Sequence, residues 1–135
     1  MPDNIDQKIL RLLKKDSRMS NVAIAKEIGL TEGEVRRRIE KLVEDGTIKS
    51  FTINVSSGSE IYAVLMAKAN GETKKMMTDI SQLTIHADGY EISGEYDGCI
   101  VIDAPTMDEL DKKIDQIRKL KSVADTRTFI SFRRY

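Results

Sequence analysis

Residues Ser20 to Val43 read SNVAIAKEIGLTEGEVRRRIEKLV, and the punctuation of this stretch settles how the first half of the chain is built. Ser20 is an N-cap for a short helix whose inner face carries Ile24 and Ile28, and Ala25 is small enough to let another helix approach closely. Gly29 supplies the left-handed conformation that ends it. Thr31-Glu32-Gly33-Glu34 is a capping box that opens a further helix with Val35, Ile39, Leu42 and Val43 on one side. Two helices joined through a glycine-containing turn, the second bearing Arg36-Arg37-Arg38, describe a helix-turn-helix. At about 100° per residue, Gly33, Arg37, Glu40, Lys41 and Glu44 point away from the core, with Arg36 at the edge of that outer face. Arginine pairs bidentately with guanine O6 and N7, and Gly33 lets the helix backbone come close to a duplex. The expected DNA-contacting set is Ser20, Thr31, Glu32, Gly33, Arg36, Arg37, Arg38 and Lys41. The competing reading makes the three arginines a solvated face paired with Glu32 and Glu40.

Upstream, Asn4-Ile5-Asp6-Gln7 fits a capping box with Asn4 as N-cap. Ile5, Ile9, Leu12 and Leu13 then form one apolar stripe on a helix that ends near Lys14 and Lys15. Downstream, Gly46 closes the arginine-bearing helix and Ile48 to Val55 reads as a strand. Ser56-Ser57-Gly58-Ser59 is the most linker-like segment, which places a boundary between a domain over 1–55 and another over 60–135.

The second domain reads as β-α-β-β-α-β. Ile61 to Lys68 is a central strand, and Thr73 to Ser81 is a short helix with Met76, Met77 and Ile80 inward. Tyr90 to Glu95 and Cys99 to Asp103 are strands about the turn Glu95-Tyr96-Asp97-Gly98. A helix capped at Thr106 carries Met107, Leu110, Ile114, Ile117 and Leu120, and Val123 to Arg133 is the last strand. The chain is therefore expected to be α+β: an N-terminal winged helix-turn-helix domain joined to a C-terminal ferredoxin-like βαββαβ domain. Both helices would cover one sheet face. The other face carries apolar residues too, so a second copy of the chain is the simplest cover.

Composition narrows the function. The 135 residues hold 22 Lys+Arg and 22 Asp+Glu, a net charge of zero. Residues 1–50 carry eleven basic side chains against nine acidic ones, so the asymmetry between the halves is slight. One cysteine, Cys99, excludes an intrachain disulfide framework, and it reads as a small buried hydrophobe. With His86 as the sole histidine, neither a structural zinc site nor a nucleophile–base pair is expected, and His86 itself reads as a solvated loop residue. No phosphate loop is present, so no enzyme activity and no cofactor are expected. The longest apolar run, Ile61 to Ala67, is far short of the ~20 residues that span a bilayer. No secretory h-region follows Met1, and a cytoplasmic setting is expected.

These residues carry a resemblance to the Lrp/AsnC (feast/famine) family of transcriptional regulators, over about residues 4–133. Its carriers are Ile5-Asp6-Gln7-Lys8-Ile9-Leu10, Ile24 to Leu30, Val35 to Leu42 with Arg38-Ile39 inside, and Gly46-Thr47-Ile48 followed by Phe51. In the second half the carrier is Gly94-Glu95-Tyr96-Asp97, similar to the family's Gly-x-Tyr-Asp turn. The resemblance implies DNA binding, a C-terminal effector domain that pairs through its sheet, and assembly of dimers into rings, often octamers. It also implies an amino-acid effector held between dimers near Gly94, Glu95, Tyr96, Asp97 and Gly98, with Thr126 and Thr128 on the last strand as further contacts. Glu95 and Asp97, if both face the ligand, favour lysine or arginine over leucine. The competing reading is a tight turn that only joins two strands, with Tyr96 packed and Asp97 capping backbone. The chain departs from the family at Thr84 to Tyr90, where an apolar-Pro-Gly-Val run is usual. An effector-independent, DNA-organising protein of the same fold is the alternative function.

Overall fold

In the computed structural model, which describes every residue except Ser56, Ser57, Ser59 and His86, helix α1 spans Asn4–Lys15. It starts one residue earlier than its apolar stripe suggests. Asp3, not Asn4, is the N-cap: the Asp6 N–H donates to Asp3 Oδ1 (2.8 Å) and the Asp3 N–H donates to Asp6 Oδ2 (3.0 Å). Two carboxylates complete the box reciprocally and both suit the positive end of the helix. The readings of His86 as a loop residue, and of most of the serine-rich linker, fall outside the described residues.

Helix α2 (Asn21–Ile28) and helix α3 (Glu32–Glu44) begin where their caps indicate. Ser20 Oγ accepts from the Ala23 N–H (3.1 Å) and Thr31 Oγ1 from the Glu34 N–H (3.2 Å). Between the helices Gly29 has φ 84°, a conformation that side chains resist. Ile9, Leu13, Ile24, Ala25 and Val35 form the core of this unit, with Ile5, Leu12, Ile28, Ile39 and Ile48 packed around it. Ile9, Ile24 and Val35 are fully buried, each contributing about 1.5–3 kcal/mol of transfer free energy.

Ile48 to Val55 does not form the expected strand. The Ile48 N–H donates to the Leu42 carbonyl, and the Thr52 carbonyl accepts from Ser17 Oγ. Phe51, Ile53 and Val55 lie 53%, 75% and 51% exposed. Their alternation has the period of a strand, but a ladder needs a second backbone, and none of the described residues supplies one.

The chain divides into two compact units, Met1–Val55 and Ser56–Tyr135. The second holds strand β1 (Ile61–Ala69), helix α4 (Thr73–Ser81), strands β2 (Ala87–Glu91) and β3 (Gly98–Ala104), helix α5 (Met107–Arg118) and strand β4 (Val123–Ile130). The sheet order is β2-β3-β1-β4 with all neighbours antiparallel, which is the ferredoxin-like arrangement. Strand β2 sits earlier than the expected Tyr90 to Glu95, and Asp88-Gly89 lies within it. A Cβ at Gly89 would stand 2.9 Å from Met77 Cε, so this glycine marks the close approach of α4 to the edge strand.

Ala63, Leu65 and Ala67 of β1 are buried with Met76 and Ile80 of α4 and Leu110, Ile114 and Ile117 of α5. The alternate residues of β1 therefore face the side without helices. Cross-strand pairing builds two central rows there: Asp88, Val101, Val64 and Phe129, then Tyr90, Cys99, Met66 and Arg127. Cys99 is half-buried on this uncovered face rather than deep in the core. Phe129 and Tyr90 remain more than half exposed.

Candidate nucleic-acid interface and effector turn

Helix α3 is held from one side and open on the other. Val35 and Leu42 are buried, whereas Arg36, Arg37, Glu40, Lys41 and Glu44 are exposed. The Arg36 guanidinium lies 3.4 Å from Glu32, a loose pair between side chains 58% and 40% exposed. Such a pair contributes little and yields readily to a stronger anion such as a phosphate. A Cβ at Gly33 would find only Arg36 Nη2, at 3.8 Å. Packing within the chain therefore does not require a glycine at this helical position, while close approach of another molecule would use one. Ser20 and Thr31, both expected near DNA, stand at the N-termini of α2 and α3 with their hydroxyls engaged as caps.

Arg38 is placed differently from its two neighbours. Its guanidinium bonds Asp3 Oδ2 (2.8 Å), Asp6 Oδ1 (3.0 Å) and Glu34 Oε1 (3.4 Å), and the side chain is only 17% exposed. These acids hold the guanidinium charged more firmly than usual, Asp3 and then Asp6 by hydrogen bonding, against the cost of burial. In turn the Asp6 N–H, then Arg38, holds the Asp3 carboxyl below its ordinary value. The structure thus uses Arg38 to tie α3 to the start of α1, a duty within the fold that its neighbour Arg36, loosely paired with Glu32, does not carry. A step of one residue turns a helical side chain by about 100°, which carries Arg38 off the outer face.

Four basic residues outside the expected set gather in the same unit. Lys14, Lys15, Arg18 and Lys49 line a cleft of about 660 Å³ whose walls include Leu10, Leu13, Ile48 and Phe51. They are scattered over 36 positions of sequence, so spacing gave no signal for them.

The effector turn is more heavily employed by its own fold. Gly94 is exposed with φ 123°, and Glu95 is exposed. Tyr96 is half-buried, with Lys68 Nζ 5.6 Å from its ring centroid. Asp97 Oδ2 accepts from the Ala69 N–H (2.8 Å), and the Asp97 N–H donates to the Ala67 carbonyl (2.9 Å). The carboxylate thereby caps the end of β1, where the register with β4 slips between Lys68 and Ala69. Gly98 is buried: a Cβ there would stand 2.9 Å from Met77 Sδ and 3.1 Å from Met76 Cε. It serves the packing of α4 and does not face solvent. Thr126 pairs with Ala67 and Thr128 with Leu65, so both threonines share the helix-bearing side of the sheet. Gly98, Ala67 and Thr126 form one cross-strand row, which brings the turn and Thr126 to within two strand spacings, about 10 Å. Lys68, a cation beside the turn, had no signal in the sequence because it lies nearly thirty residues upstream.

Among the described residues, no group of three or more His, Cys, Asp or Glu is arranged to hold a metal ion. No helix among them is long and apolar enough to cross a membrane.

Comparison with known proteins assigns both halves. Residues 2–49 match a family model described as winged helix-turn-helix DNA-binding, and residues 72–135 match the Lrp/AsnC ligand binding domain. The HTH-type transcriptional regulator LysM of Sulfurisphaera tokodaii is 38% identical, over 97% of this chain and 95% of that protein. The solved structure of B. subtilis LrpC is similar at 26% identity and TM-score 0.65, covering 98% of this chain and 96% of that one. A feast or famine regulatory protein from M. tuberculosis, solved with L-methionine, shares the fold at 18% identity and TM-score 0.72, covering 100% of this chain and 95% of that one.

Proposed function

We propose that this chain, which belongs to the Lrp/AsnC family of transcriptional regulators, reads duplex DNA with the outer face of α3 and changes that binding when an α-amino acid occupies its C-terminal domain. The observation that carries the DNA half is the open face of α3. There Gly33 has no packing duty, Arg36 is loosely held, and Arg37 and Lys41 are exposed. A base contact by Arg37 is worth about 1–3 kcal/mol of discrimination. Arg37→Ala should weaken specific binding. Relaxed specificity at one position of each half-site marks a base contact, and a salt slope lower by ~1 marks a phosphate contact. Unchanged affinity for specific and random duplexes alike removes Arg37 from the interface.

The effector half is supported by the ligand-binding family model and by two similar structures described as complexes with L-methionine. The site proposed is the neighbourhood of Gly94, Glu95 and Tyr96, with Thr126 and Thr128 across β1. A preference for lysine or arginine loses its basis, because Asp97 is committed to the Ala69 N–H and Lys68 stands beside Tyr96. Calorimetry against the twenty amino acids, paired with DNA titrations, tests this half. Coupling should be reciprocal and on the order of 1–3 kcal/mol. Heat with none of them favours the DNA-organising alternative.

Two copies pair through the uncovered sheet face, whose apolar centre of Val64, Met66, Cys99 and Val101 otherwise meets water. Further association of dimers, with an octamer as its expected size, is read by light scattering. A monomer of 15.2 kDa at micromolar concentration would refute the assembly.

A further inference from the structure

The uncovered face has a charge pattern that its apolar centre does not explain. In its two central rows the only ionic side chains are Asp88 and Arg127. They stand at opposite ends of the sheet order, Asp88 on β2 and Arg127 on β4, and in different rows. They are thus diagonally opposed across the patch, opposite in sign, and both exposed. The Arg127 guanidinium lies over the ring of Phe129 on its own strand, 5.9 Å from the centroid, and outside these rows the charges have neighbours as well. Lys68 faces Asp125 across β1 and β4 at one end. At the other, Asp103 is paired with Tyr62, over whose ring Arg134 lies at 5.2 Å.

We infer that Asp88 and Arg127 are the recognition pair of a two-fold dimer, Asp88 of each copy meeting the partner's Arg127 at the rim of the paired sheets. This deepens the proposed pairing of sheet faces and rests on it. A two-fold axis lying in the plane between two face-to-face sheets rotates one patch onto the other. The axis that exchanges the two ends of a diagonal also keeps the patch centre on itself. Through the midpoint of Val64, Met66, Cys99 and Val101, such an axis sets apolar centre against apolar centre. It also forms the Asp88–Arg127 contact twice, as an isologous interface requires. An axis that instead placed each Asp88 opposite the partner's Asp88 would confront like charges at both rims, which costs far more than a rim ion pair contributes. The pair therefore selects one orientation, and it penalises association with any related chain that lacks the complementary charges.

The test uses the full chain and its self-association constant, measured by analytical ultracentrifugation at low salt, where rim charges are least screened. Asp88→Arg and Arg127→Asp should each weaken self-association by about tenfold or more, since each homodimer then holds two like-charge contacts. An equimolar mixture of the two variants should associate as tightly as wild type, because both contacts of the mixed dimer again join opposite charges. A mixture that associates no better than either variant alone overturns the inference. Phe129→Ser, at an exposed position of the same face, separates the two levels of the claim. If Phe129→Ser weakens association and the charge variants do not, the faces pair but the diagonal is wrong. If all three variants associate like wild type, the face-pairing reading fails and the recognition pair fails with it.

Discussion

Helix α3 and the Gly94 to Gly98 turn both carry the residue types expected of a binding site, yet their side chains are used in opposite ways. On α3, Gly33 has open space beside it, and Arg36 is held only by an exposed carboxylate. On the turn, Asp97 caps the end of β1, Gly98 lies under two methionines, and Tyr96 has Lys68 beside its ring. A residue whose chemistry the fold does not need is the stronger functional candidate. A residue the fold already needs must be shown to have a second role. By that measure the DNA-reading face is better founded than the effector turn.

The contrast can be broken by substitutions that separate stability from binding. The largest effect is expected at Gly98. Gly98→Val pushes side-chain atoms into the space held by Met76 and Met77, and should destabilise the C-terminal unit by about 1–3 kcal/mol in denaturant titration. A variant as stable as wild type would return Gly98 to the list of ligand contacts. Next comes Arg38→Ala, which leaves Asp3, Asp6 and Glu34 without their shared cation. Loss of these charge-assisted bonds, discounted for partial exposure, should cost about 1–2 kcal/mol. The remaining folded protein should keep its DNA affinity; an affinity loss comparable to that of Arg37→Ala would put Arg38 back at the interface.

Gly33→Ala sharpens the comparison from the other side. The helical position has room for a Cβ, so stability should rise by about 0.5–1 kcal/mol through helix propensity. DNA affinity should fall, because the added methyl group blocks close approach. A rise in stability with unchanged affinity would show that Gly33 is only a weak helix residue. The smallest effect concerns acid. Asp3 titrates below its ordinary value of 3.8 when folded, because the Asp6 N–H and then Arg38 favour its carboxylate. Its contribution is complete above that ordinary value and is lost as the pH falls through the depressed one. Acid titration of wild type and Asp3→Asn should therefore converge at the bottom of this range, and parallel curves would remove Asp3 from the linkage.

Much of the fold was legible because its signals are local. Ser20, Thr31 and Thr106 cap the helices they were expected to cap, and Ile9, Val35, Leu42, Leu110, Ile114 and Ile117 are buried as their stripes require, whereas Val43 and Met107, at the edges of those stripes, are exposed. The errors share a different cause. Gly89 falls outside the strand expected from Tyr90 to Glu95 and is instead a close-packing residue of β2 under α4. Ile48 to Val55 has the alternation of a strand but lacks a neighbour, and pairing is not a property of one segment. Arg38 was indistinguishable from Arg37 until α1 supplied Asp3 and Asp6. On the turn, the spacing of Gly94 to Gly98 was readable, but the burial of Gly98 and the capping by Asp97 depend on α4 and β1. Lys68 was missed for the same reason.

The position of Cys99 has an experimental consequence. It is the sole thiol of the chain, and it lies in the middle of the uncovered sheet between Met66 and Tyr90. A maleimide dye or nitroxide therefore attaches at one place without mutagenesis, on the surface whose occupancy is in question. Labelling kinetics at graded protein concentration become a direct titration of that surface, slow where it is covered and fast where it is bare. The same sulfur ties handling to assembly: alkylating reagents reach it on chains whose sheet face is bare, so modification would accumulate in the unpaired form.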